Sequence, residues 1–270
     1  AEITPDLLEE VTHLVSWPNA LLCDFPSEFL KTPKPALTSA MEYHQKCFPI
    51  ANSKHILQPA FITICNIQSK NPKSVIHGNK IVMTARLSDA AFFYNKDNQV
   101  EFNIWQEKLK IISFHTGLGS IYDKTLRVEK IAINISQKLE LDKSIISNLT
   151  TATSLYKCDL VSDMVEEFPK LQGIMGEIYA KNKDYPKEVC QAIKEHYLPR
   201  FSDDKLPESI TGKILAIADK LDTICALFCV NQAPKGNKDP FALRRQALGL
   251  MRILYEDNKS IFANLDLDTL

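Results

Sequence analysis

Two adjacent helical patterns near the C-terminal end constrain this chain most: ITGKILAIADKLDTICALFCVN over residues 210–231, and NQAPKGNKDPFALRRQALGLMRILYED over 231–257. In the second, Lys235, Gly236 and Asn237 form a polar break. Asp239 then stands where an N-cap belongs, with Pro240 at the first helical position, so the spacing predicts a helix starting at Pro240. Phe241, Leu243, Leu248, Met251, Ile253 and Leu254 give it an apolar face, and Arg244, Arg245 and Arg252 place three guanidinium groups on one short helix. Such a helix faces an anion or a partner. Lys238, Arg244 and Arg245 are therefore candidates for phosphate binding at a helix start, or for an internal anchor of the neighbouring segment.

Composition narrows the class without deciding the function. With 270 residues, 45% hydrophobic and 24% charged, the chain is an ordinary globular one with a buried core. A formal charge of -1 excludes a globally basic nucleic-acid binder but leaves room for a local basic patch. The seven cysteines are scattered, odd in number and without a CxxC pair, which points to reduced thiols in a cytoplasm. Cys225 and Cys229, four apart on a predicted helix, read as small core residues. Residues 1–10 lack the basic and apolar regions of a signal peptide, and no apolar run reaches membrane-spanning length.

The N-terminal stretch is mixed. DLLEEVTHLV has helical spacing, LTSAMEYHQKCF reads as a helix running into a strand at CFPIA, and FITICNI is the strongest strand pattern. Asn71-Pro72 opens a long helix, weakened in its middle by Gly78, on which Lys80 and Arg86 are candidate polar surface residues. Beyond the HTGLGS break every segment has helical period and no strand is expected as far as Asp257. The expected class is α+β, predominantly α. It divides into a mixed module over residues 1–112, an all-helical domain over 113–257, and the start of a truncated further segment over 258–270.

The motifs SWPNALLCDF, EYHQKCFP, FITICNI, ARLSDAAFFY, EEFPKLQGIMGEIYA, EHYLPRF, ILAIADKLDT and KDPFALRRQALGLMRIL together resemble the beta subunit of the bacterial heterotetrameric glycyl-tRNA synthetase. The resemblance covers nearly the whole chain. It implies an internal piece of that subunit, since the sequence opens on Ala1 and stops at Leu270. It also implies a cytoplasmic alpha2beta2 enzyme that attaches glycine to tRNA(Gly). ATP and Mg2+ would belong to the alpha subunit, this chain would bind no cofactor of its own, and an anticodon-binding part would follow Leu270.

The order of helices in the second half resembles the HD superfamily of metal-dependent phosphohydrolases, whose site needs a His, a His-Asp pair and a late Asp around a divalent ion. Asp219 matches the late Asp and His196 matches a histidine often found between. Where the pair should stand the sequence reads YKCDLVSDM, leaving Asp159, and the first helix offers Lys124 and Arg127 in place of a histidine. Asp159, His196 and Asp219 form a degenerate set with Lys157 beside it, so the expectation is a retained scaffold with the hydrolase chemistry lost and Asp219 and Asp222 paired to basic side chains. The alternative function is an HD-type metal-dependent phosphohydrolase.

Overall fold

The structure, a computed structural model, describes residues 1–256, 261–262 and 265, so the start of the expected further segment lies almost wholly outside the described residues. It is α+β and predominantly α, as the sequence implies. Two compact units are present, residues 1–99 with 166–171, and residues 100–165 with 172–270.

The first unit is built on a small antiparallel sheet. Helix α1 (Pro5–Leu14) buries Leu7 and Val11, one turn apart, against Phe48, with Val15, Ile62 and Ile64 around them. Strands β1 (Asn19–Asp24), β2 (Phe48–Ala51) and β3 (Leu57–Cys65) pair in the order β1-β3-β2. FITICNI thus supplies the central strand, where branched and aromatic side chains pack on both neighbours. The EYHQK region is helical, with α2 (Lys34–Ser39) passing into a π turn over Ala40–His44. Residues 166–171 return to this unit, where Phe168 meets the His44 ring edge-on at 5.2 Å between centroids.

Helix α3 (Pro72–Asn98) is continuous through Gly78, and Asn71 caps it by accepting the Ser74 N–H at 3.3 Å. A Cβ at Gly78 would meet no atom within 4 Å. Gly78→Ala should therefore raise stability by about 0.5–1 kcal/mol, because alanine restricts the unfolded chain without cost in the helix. A urea melt showing a lower midpoint for the variant would contradict this.

The second unit begins with α4 (Phe102–Leu109), whose fully buried Trp105 packs on Phe102 and on Tyr179. A short hairpin of β4 (Ser113–His115) and β5 (Gly119–Ser120) follows. No strand was expected here, because two- and three-residue strands are too short to show alternation. Next come α5 (Ile121–Lys138), α6 (Lys143–Leu155), α7 (Asp163–Glu167, its last two residues counted with the first unit), α8 (Ile174–Asn182), α9 (Lys187–Glu195), α10 (Ile210–Cys229) and α11 (Leu243–Tyr255). A capping box between Ser120 and Asp123 starts α5. Helix α10 packs against α5, α6, α9 and α11, so its middle turns are buried nearly all round.

Three local expectations are corrected. The last helix starts at Leu243, not at Pro240: Pro240 and Phe241 form a turn, Ala242 takes a left-handed φ of 53°, and Asp239 caps from farther back by accepting the N–H groups of Leu243 and Arg244 at 2.8 and 3.0 Å. Cys225 and Cys229 are exposed, since they fall on the outer side of α10 rather than in the core. The helical period expected throughout the stretch beyond the HTGLGS break is interrupted after Leu155 by a 3-10 turn, Cys158–Val161. Among the described residues no helix is long and apolar enough to cross a membrane.

Candidate functional site

Helix α10 carries Asp219, Lys220, Asp222 and Thr223 into the interior of the second unit, and α5 brings Lys124 and Arg127 to meet them. Lys124 is about as buried as a lysine can be, with 4% exposure, and its Nζ donates to Asp222 Oδ2 at 3.0 Å, Thr223 Oγ1 at 2.7 Å and the Asp219 carbonyl at 3.2 Å. Its distance to Asp219 Oδ1 is also 3.2 Å. Arg127 grips the same Asp222 from the other side, through Nε at 2.6 Å and Nη2 at 3.2 Å. The expected pairing of Asp219 and Asp222 with basic side chains is thus present.

Lys157, just past α6, lies with its Nζ 2.9 Å from His196 Nε2 and 3.8 Å from Asp219 Oδ2, under the faces of Tyr197 and Tyr156. His196 Nδ1 sits 2.6 Å from the Ile193 carbonyl. That contact requires a proton on Nδ1, which leaves Nε2 to accept from the lysine. Lys220 donates to the carbonyls of His196 and Leu198 at 3.2 and 2.8 Å, and the Tyr156 hydroxyl donates to Asp219 at 3.0 Å.

The electrostatics follow from burial. Desolvation pulls Lys157 and Lys220 down to about 8 despite the attraction of Asp219. Desolvation and the Lys157 charge together hold His196 far below its ordinary value, so the ring is neutral. For Asp219 burial works upward, but the Lys124, Lys157 and Lys220 charges outweigh it and keep the carboxyl well below the usual range.

Asp159 does not join this group. Its Oδ2 accepts the N–H of Gly173 at 2.6 Å and of Gly176 at 3.1 Å, its Oδ1 has no partner, and burial pushes its pKa up to about 6 against the pull of those two amides. Gly173 makes the first bond from a left-handed φ of 77°, where a side chain would be strained and would meet Tyr197. Of the three residues named from the sequence, His196 and Asp219 line one pocket and Asp159 is tied to a backbone turn instead.

These residues do not fit a metal ion. The one carboxylate that faces the pocket already has ammonium groups at 3.2 and 3.8 Å, and a cation there would meet Lys124, Lys157 and Lys220 first. Among the described residues no three His, Cys, Asp or Glu side chains converge to hold one. Lys220 was missed by sequence reasoning. It stands between Asp219 and Asp222 in ADKLD, where spacing alone reads it as an ordinary charged helix residue.

The other candidates are dispersed. Lys80 pairs with Asp24 at 2.6 Å and Arg86 with Asp89 at 3.9 Å, both in the first unit. In the second unit Arg244 Nη2 donates to the Gly236 carbonyl at 2.7 Å, tying down the loop before α11, while Arg245 and Lys238 are exposed. Arg252, the third guanidinium, pairs with Glu256 and with the Asp204 carbonyl.

The whole chain, residues 1–270, matches the family described as glycyl-tRNA synthetase beta subunit. It belongs to that family. A glycine–tRNA ligase beta subunit of Coxiella burnetii is 48% identical over 261 residues, 97% of this chain and 37% of the relative. Those of Marinobacter nauticus and Pseudomonas entomophila are 46% and 43% identical, over 95% and 99% of this chain. The chain spans under two fifths of the length of these curated relatives, 36% to 38%.

Proposed function

We propose that this member of the glycyl-tRNA synthetase beta subunit family is a non-catalytic part of a heterotetrameric, cytoplasmic glycine–tRNA ligase, supporting ATP-dependent attachment of glycine to tRNA(Gly). It binds tRNA and the alpha subunit, which holds ATP and Mg2+. The observation that carries the absence of hydrolysis here is the Asp219 carboxylate compensated by lysines rather than free for a cation. The helical unit keeps an HD-like order of helices and has exchanged its metal chemistry for a buried ion-pair network. The names of the relatives support the ligase assignment.

Arg245 and Lys238 are the groups free to meet tRNA phosphates, whereas Arg244 serves as an anchor. In the complete alpha2beta2 enzyme, Arg245→Ala with Lys238→Ala should weaken tRNA binding several-fold and flatten its salt dependence by about one unit of slope per lost phosphate contact. Arg244→Ala should instead lower the melting temperature with little change in salt slope. Unchanged tRNA affinity in the double variant would remove these residues from the interface. Phosphoesterase activity of the chain with added manganese, lost in Asp219→Ala, would overturn the non-catalytic reading.

A further inference from the structure

A pocket of about 250 Å³ lies over the lysine cluster. Lys124, Lys157 and Lys220 line it from the buried side, and the half-buried Gln172, Tyr197 and Gln246 line its mouth. Three ammonium groups here face one lining carboxylate, Asp219. Farther out Arg127 faces Asp222, Asp159 acts on Lys157 and Asp204 on Lys220, so the positive excess belongs to the groups that line the pocket themselves. Buried positive charge without a counter-anion is costly.

The donors are in excess as well. An ammonium has three N–H groups. Within hydrogen-bond reach, Lys157 has one acceptor, His196 Nε2, and Lys220 has two carbonyls. Among the described residues the side-chain amides of Gln172 and Gln246 have no hydrogen-bond partner. A compact group with two negative charges and several acceptor oxygens satisfies both deficits at once. A carboxylate supplies half the charge and half the acceptors.

We propose that this pocket is a receptor for a dianionic phosphoryl group, either inorganic phosphate or the monoester phosphate of a small nucleotide. Lys157 and Lys220 hold its oxygens, Gln172 and Gln246 close over it, and Lys124 stays on Asp219 and Asp222. The inference stands on the pocket itself and does not depend on the ligase assignment.

Calorimetric titration of the chain in low-chloride buffer, with inorganic phosphate and separately with adenosine monophosphate, tests it. Saturable one-site binding of either probe is expected, with affinity lowered about tenfold or more in Lys157→Gln and in Lys220→Met. Phosphate binding without nucleotide binding identifies the free ion as the ligand, and binding of both identifies a monoester. Gln246→Glu places a carboxylate at the half-buried mouth without touching the buried charges, and it should abolish binding even if a lysine variant fails to fold. No binding of either probe, or binding that survives Gln246→Glu and the folded lysine variants, would overturn the proposal.

Discussion

Asp219→Ala should cost the helical unit about 3–5 kcal/mol at pH 7, the scale of breaking a buried ion pair on one side. Lys157 and the Tyr156 hydroxyl rest on this carboxylate with no equivalent replacement within reach, while Lys124 keeps Asp222 Oδ2 at 3.0 Å but must share it. Arg127 already occupies Asp222. Because the folded pKa of Asp219 is depressed, its contribution is present above the unfolded carboxyl value and is lost as pH falls below it. The gap between variant and wild type should therefore narrow in acid. It should narrow in alkali too, since Lys157 and Lys220, already pulled down to about 8, can shed the protons that the missing carboxylate no longer stabilises. Urea melts at pH 4, 7 and 9.5 should give the largest difference at pH 7. A loss below about 1 kcal/mol there would mean that the lysines do not depend on Asp219.

The parts of this architecture that were legible in the sequence are those written in local pattern. Pro72 after Asn71, with helical spacing beyond, marks α3, and the branched run Phe61 to Ile64 marks the central strand. The pairing of Asp219 and Asp222 with nearby basic side chains was legible as well. The parts not legible depend on tertiary partners. Nothing between Asp142 and Phe168 is proline or glycine, yet the helix breaks after Leu155. Asp159 is drawn to the amides of Gly173 and Gly176, and Ser162 caps the Val165 N–H at 3.2 Å. Those bonds outweigh helical propensity and cannot be seen from spacing. Lys220 likewise looks like any charged residue next to an aspartate, until α10 proves to be enclosed on nearly every side.

Lys157→Met separates the cost of that burial from the contribution of its contacts. The substitution keeps the volume and removes the charge, while Asp219 retains Lys124 at 3.2 Å and the Tyr156 hydroxyl at 3.0 Å. The folded pKa of Lys157, about 8, lies below the ordinary 10.5. The unfolded chain therefore holds more protons between those values, and wild-type stability gains from this group as pH rises through the window. A shift of that size corresponds to about 3 kcal/mol. The variant lacks this gain, so its stability relative to wild type should fall by about 3 kcal/mol between pH 8 and 10.5. Below pH 8 the gap should be constant as far as Lys157 is concerned, with the variant favoured by the removed desolvation and penalised by an unpaired His196 Nε2. Comparing the two proteins cancels the buried tyrosines and thiols, whose raised pKa values lower stability in alkali equally in both. Parallel stability curves across pH 8 to 10.5 would show that the Lys157 ammonium is not strained by its burial.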